Sequence, residues 1–223
     1  MNLACIDPDR WQRHNLIRNP FGELTKQERA RLAIVDLQFL DPWIGKRHRA
    51  VQFVGDCGRG KTTRMLAIAH QWAGSCYVYL PEDGPTPPIP MADLLLIDEA
   101  QRLPGKLRRR VFATGMPLVL ATHRDLSRSL ARQGYQVHTE SIGDGNDVRL
   151  IQQILNARIE AARWKSSPVP EVTLRDAEAL FARFGSDIRQ LEHFLYDRIQ
   201  NQVMGSPMKA SQVIQNGQMR FVD

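Results

Sequence analysis

AVQFVGDCGRGKTTRML, residues 50–66, runs from a short apolar stretch through a glycine-rich turn into the opening of a helix. Within it Gly55, Gly60, Lys61 and Thr62 stand in the GxxxxGK[ST] spacing of a phosphate-binding loop. The chemistry explains the residue types. Glycines let the backbone curl so that its N–H groups face a phosphate, and a helix N-terminus adds partial positive charge. The lysine supplies a mobile charge, and the threonine hydroxyl suits Mg²⁺. Gly55, Asp56, Cys57, Gly58, Arg59, Gly60, Lys61, Thr62 and Thr63 are therefore the expected phosphate-contacting residues, with Cys57 read as a small residue at a variable position.

Downstream, DLLLID (93–98) is an apolar run ending in acid, as expected of a parallel strand buried on both faces. Asp98 and Glu99 fall side by side at its C-terminal end, where ligands sit in an open parallel sheet. Asp98 is the expected Mg²⁺ carboxylate beside Thr62, and Glu99 the group that orients or deprotonates an attacking water. PLVLATH (117–123) repeats the pattern, placing Thr122 and His123 where either can sense a phosphate or the water.

Outward from these segments, TKQERARLAIVDLQFL predicts a helix carrying Leu32, Val35 and Phe39 on one face, with Thr25 and Glu28 forming a capping box. CYVYL (76–80) and YQVHTESI read as further strands, and PGKLRRRVFATG and RDLSRSLARQG as helices; alternation of this kind means a parallel sheet. EDGPTPPIP cannot be helical, because its prolines remove donors and restrict their neighbours. From Asp147 the chain becomes all-helical, with Ile188, Leu191, Leu195 and Ile199 on one face of the last helix. The expected divisions are a basic lead-in at 1–24, a nucleotide-binding α/β core at 25–146, a helical lid at 147–203 and a tail at 204–223.

Hydrophobic residues make up 43% and charged residues 24% of the 223, which supports a real core and argues against disorder. Three cysteines, with no CxxC pair and no histidine at zinc-ligand spacing, indicate neither a disulfide framework nor a structural metal. The first residues are polar, and no segment reaches the ~18 apolar residues that span a bilayer, so the expectation is a cytoplasmic protein with no membrane partner. A net charge of +6 attracts phosphate-bearing partners without naming them.

With these motifs placed, the chain resembles the additional-strand P-loop NTPases, and within them the AAA+ ATPases, through GDCGRGKTT, LLLIDEA, LVLATH and GSDIRQLEHFL, over about residues 45–200. The resemblance implies a three-layer α/β fold with a mostly parallel five-stranded sheet in the order 5-1-4-3-2 and a small C-terminal helical lid. It implies ATP and Mg²⁺ as ligands, and hydrolysis by water. It also implies Arg189 over the phosphates from the lid, Arg132 as an arginine finger reaching a neighbouring subunit's site with Arg128 as the fallback, and hence a homo-oligomer. Lys61 and Asp98 are closer than is usual in that class, and the proline-rich loop stands where a helix is normally found. The NPFG lead-in and compact lid are similar to regulators of DNA transposition and replication loading.

Other NTPase readings fit less well. THRD (122–125) resembles the guanine-reading [NT]KxD motif but fails at His123, and the acidic strand end reads DEAQ instead of DxxG. LVLATHRDL resembles the switch histidine of ABC-type ATPases, yet no LSGGQ signature is present. A small-molecule kinase shares the phosphate loop, but Glu99 argues for water as acceptor. A nucleotide-binding adaptor with little turnover remains a distinct alternative. Double-stranded DNA, or a DNA-bound protein, is the expected macromolecular partner, on the strength of KRHR (46–49), LRRR (107–110) and the basic lead-in.

Overall fold

The computed structural model describes residues 8–143, 145–205 and 219–222. Of the tail expected at 204–223, residues 206–218 and 223 lie outside the described residues, as do the first seven of the lead-in. The chain divides into two compact units, one formed by Leu24–Asn146 and the other by Met1–Glu23 with Asp147–Asp223.

The first unit is an α/β sandwich. Its strands are β1 (Arg49–Val54), β2 (Ser75–Tyr79), β3 (Leu94–Asp98), β4 (Leu118–Thr122) and β5 (Gln136–Ser141), and they form one sheet in the order β2-β3-β4-β1-β5. Every neighbouring pair is parallel. This is the expected 5-1-4-3-2 order, and it matches a P-loop NTPase fold. Parallel strands need crossovers, and three come from helices: α3 (Lys61–Gln71), α4 (Gly105–Ala113) and α5 (Ser127–Ala131). Between β2 and β3 residues 80–93 contain no helix, as the prolines require.

Strand alternation divides the core. Leu95 and Ile97 of β3 join Leu118 and Leu120 of β4 in a cluster with Val111, Phe112 and Leu130 from α4 and α5. Leu94 and Leu96 join Val51, Phe53 and Val119 in the opposite cluster with Met65 and Ile68 of α3. A strand with both faces covered favours apolar residues at successive positions, which is why LLLI is continuously apolar.

The helix expected to run through Phe39 is shorter. Only α2 (Lys26–Arg31) forms, with both capping-box bonds of Thr25 and Glu28 present, and Leu32 closes it. Ile34 and Val35 lose rotamer freedom in a helix. The Asp36 carboxylate then takes the Gln38 N–H at 3.0 Å and starts a single 3-10 turn at Gln38–Leu40. That turn buries Leu37 and Leu40 against the sheet, which α2 continued would not require.

The second unit packs α6 (Val148–Ala161), α7 (Leu174–Phe184) and α8 (Ile188–Gly205) around one apolar cluster. Leu191, Leu195 and Ile199 are buried there as the helical spacing predicts, and Ile188 packs at the margin. Trp11 of the short helix α1 (Pro8–Gln12), with Leu16 and Phe21 after it, enters the same cluster. Phe221 returns to meet Phe21 edge-on at 6.4 Å. The buried Arg158 of α6 clamps the N-terminal segment, donating from Nε to the Pro20 carbonyl at 2.9 Å and pairing also with the Gly22 carbonyl and the Glu192 carboxylate. No helix among the described residues is long and apolar enough to cross a membrane.

Candidate functional site

The glycine-rich turn leaves β1 at Val54 and enters α3 at Lys61. Gly58 and Gly60 adopt φ of 77° and 96°, which side chains tolerate poorly, and Gly60 occupies the N-cap of α3. At Gly55 the constraint is space, since a Cβ there would run into the Ile142 carbonyl oxygen after β5. The buried Asn146 braces the turn from the same side, its Nδ2 reaching the Arg59 carbonyl at 3.3 Å.

Lys61 is buried, and its Nζ donates to the carbonyls of Gly55 and Asp56, each at 2.7 Å. Burial pulls its pKa below the usual lysine value, and the carboxylates of Glu99, Asp98 and Asp56 with Cys57 oppose that shift. Thr62 and Thr63 follow on the first turn of α3, both half-buried. Cys57 and Asp56 are exposed at the rim, beside the half-buried Gly58 and Arg59.

Asp98 ends β3 fully buried. Its Oδ1 accepts the Glu99 N–H at 3.0 Å and its Oδ2 accepts the Tyr77 hydroxyl at 2.8 Å. Two neutral donors leave the carboxylate's charge uncompensated by either bond, and a carboxylate with a threonine hydroxyl at the same sheet edge is a hard-oxygen donor set suited to Mg²⁺. Asp98 and Thr62 are the residues that would hold it. Burial, and then the Asp98 charge, raise the Tyr77 phenol far above its ordinary value, so it stays a donor.

Glu99 sits at φ 61°, an uncommon backbone for a non-glycine residue and one that turns the chain sharply out of the strand. Its Oε2 accepts from Gln101 Nε2 at 2.7 Å and lies 3.4 Å from Arg102 Nη2 and 3.5 Å from His123 Nε2. The same His123 nitrogen is 3.7 Å from Cys57 Sγ. Gln101 also accepts the His123 backbone N–H at 3.2 Å, joining the ends of β3 and β4. Thr122 differs from His123: it is fully buried, and its hydroxyl bonds both the N–H and the carbonyl of Arg124, turning the chain after β4.

A second polar network supports that turn from inside β1. The fully buried Gln52 places its Nε2, with two N–H donors, 2.6–2.8 Å from oxygens of Asp125, Ser127 and Thr139, and its Oε1 accepts the Leu126 N–H at 2.9 Å. The Ser127 hydroxyl and N–H, followed by Gln52, hold the Asp125 carboxyl below the usual carboxylate value.

The fold therefore brings Lys61, Asp98, Glu99, His123 and Cys57 to one edge of the sheet. Arg132 is elsewhere. It caps α5 just before β5 begins, at the edge where the strands start, about 17 Å of strand away from the phosphate loop of the same copy. Arg189 is exposed on the first turn of α8, in the helical unit. Tyr77, Gln101, Arg102 and Gln52 were not expected at the site. Gln101 and Arg102 follow the acidic pair after one alanine, Ala100, and a glutamine within an apolar strand was the available signal for Gln52.

No family model matches the chain, and no curated protein matches it. Among solved structures it is similar to the Thermotoga maritima RuvB Holliday junction branch migration motor, with 19% identity and a TM-score of 0.44, over 68% of this chain. The chain spans 55% of the length of that protein.

Proposed function

We propose that this chain binds ATP with Mg²⁺ on the Gly55–Thr63 loop and hydrolyses it by in-line attack of water on the γ-phosphate, as an AAA+-like ATPase. What carries the reading is the juxtaposition of Glu99 with His123, 3.5 Å apart, at the strand edge that also holds Lys61 and Asp98.

Lys61 exchanges its two loop carbonyls for phosphate oxygens, and backbone N–H groups of the turn face the same oxygens. Asp98 and Thr62 would hold Mg²⁺, which would supply charge neutralisation at the phosphates. Glu99 orients the water and accepts its proton, while Gln101 fixes the carboxylate. His123 is favoured over Thr122 as the group reporting on the γ-phosphate, because the Thr122 hydroxyl is already spent on Arg124. Arg132 completes the site of a neighbouring copy, so the active form is a homo-oligomer, slow without its partner. Its setting is a switch acting on double-stranded DNA or on a DNA-bound protein in the cytoplasm.

The test is ATP binding and phosphate release by purified protein with Mg²⁺, alongside Lys61→Ala and Glu99→Gln. Lys61→Ala is expected to lose binding, and Glu99→Gln to keep binding while turnover falls about 10²- to 10⁴-fold. Undiminished ATP binding by Lys61→Ala overturns the reading.

A further inference from the structure

Two basic runs 60 residues apart in sequence meet in the fold. The Arg47 guanidinium donates from Nη2 to the Thr114 carbonyl at 2.7 Å, so the 46–49 segment docks on the C-terminal cap of α4. His48 makes the junction rigid: in the left-handed region at φ 55°, it donates its N–H to the Gly115 carbonyl at 2.9 Å and accepts the Gln136 N–H at 2.9 Å. Its ring packs 5.5 Å from the Tyr135 ring.

On α4, Lys106 and Arg110 precede Thr114 by eight and four residues and so share its face, spaced about 6 Å apart along the axis. Lys106, Arg110, Arg47 and Lys46 therefore form one line of cationic side chains, and all four are exposed. The two chain segments that carry them contain no acid. Asp and Glu are absent from residues 42–55, from 100–124 and from 126–139. A line of fixed positive charge with no interleaved carboxylate is complementary to a regularly charged polyanion, and a protein partner would instead call for apolar anchors that this face lacks.

We propose that this face binds the phosphate backbone of duplex DNA without reading its sequence. The proposal deepens the reading given above on its DNA side and does not depend on hydrolysis. Lys46, Lys106 and Arg110 contact successive phosphates, while Arg47 keeps the two runs in register through Thr114.

The experiment is fluorescence anisotropy of a labelled 30-bp duplex of mixed sequence, titrated with protein between 50 and 200 mM NaCl. Wild type is compared with K46Q/K106Q/R110Q and with R13Q/R149Q/R175Q, which removes the same charge from exposed positions of the helical unit. The face variant is expected to bind at least about tenfold more weakly at 50 mM NaCl, with the log–log salt slope reduced by about 2 to 3. Its melting temperature and ATP affinity should stay at the wild-type values, since Arg47 and the phosphate loop are intact. The proposal is overturned by absence of wild-type binding at 50 mM NaCl, by an unchanged slope in the face variant, or by an equal loss in the charge-matched control. Failure of wild-type protein to bind ATP would remove the hydrolysis reading and leave the DNA result standing.

Discussion

The Tyr77 hydroxyl donates to Asp98 Oδ2 at 2.8 Å, so the edge strand β2 holds the buried acid at the end of β3. The register makes this possible: Tyr77 pairs with Leu96, two residues short of Asp98, so its ring lies alongside the strand end and its hydroxyl reaches forward to the carboxylate. A carboxylate taken fully out of water needs donors, and Tyr77 is one of two.

Tyr77→Phe removes that donor and keeps the ring. The expected cost is about 1–3 kcal/mol in urea unfolding, the range for leaving a buried charged acceptor short of a partner. The Mg²⁺ concentration giving half-maximal turnover should also move several-fold, because Asp98 loses its fixed orientation. Unchanged stability together with an unchanged Mg²⁺ titration would mean that the Glu99 N–H alone holds the carboxylate.

The Asp125 carboxyl is held below its usual value first by Ser127 and then by Gln52. A depressed carboxylate contributes stability above the unfolded-state pKa and loses it as pH falls through the folded-state value. Wild type should accordingly exceed Asp125→Asn in stability at pH 7, and the gap should close below about pH 4. Asp125 is exposed, so the effect is small, and it is best read as the difference in urea midpoints at pH 7, 5 and 3. A gap that widened toward pH 3 would reverse the assignment.

Arg158 ties Pro20 and Gly22 to α6 and α8 through one buried guanidinium. Arg158→Met should cost about 3–5 kcal/mol, as expected when one member of a buried ion pair is removed. The loss should be local in its first effect. Trypsin should cut after Arg13 or Arg18 at low denaturant, before the α/β unit opens. Glu192→Gln retains an acceptor for the guanidinium and should protect the segment better than Arg158→Met does.

The centre of the α/β unit was legible because β3 and β4 are buried on two faces, and such strands announce themselves as unbroken apolar runs, here ending in DE and TH. Element ends were less legible. The helix through Phe39 failed because Leu32, Val35 and Phe39 fit a helical period, yet the same spacing serves a coil and a 3-10 turn that bury Leu37 and Leu40 instead. The role of Trp11, Leu16 and Phe21 was invisible for a different reason. Three apolar residues scattered through a basic segment have no period, and their partners lie more than 100 residues away on α6 and α8. Tyr77 was hidden similarly, since only strand pairing puts it beside Asp98. The motif residues needed no such knowledge, because their spacing is local.

Gln101 is the residue whose importance rests most on geometry. It donates to Glu99 Oε2 at 2.7 Å and accepts the His123 N–H at 3.2 Å, so one side chain sets both the carboxylate and the end of β4. Gln101→Leu keeps the size and deletes both bonds. Among the described residues Glu99 then retains Arg102 at 3.4 Å and His123 at 3.5 Å, neither at close hydrogen-bond distance. If Glu99 activates water, losing its orientation should lower kcat about 10- to 100-fold with KM for ATP nearly unchanged, because the phosphate loop is untouched. Gln101→Glu provides the contrast. It restores length and an acceptor for the His123 N–H but sets a second negative charge against Glu99, which should push one of the two carboxyls upward and move the acid limb of the pH–rate profile to higher pH. A purely structural Gln101 would instead lower stability and leave kcat, KM and the profile in their wild-type proportions.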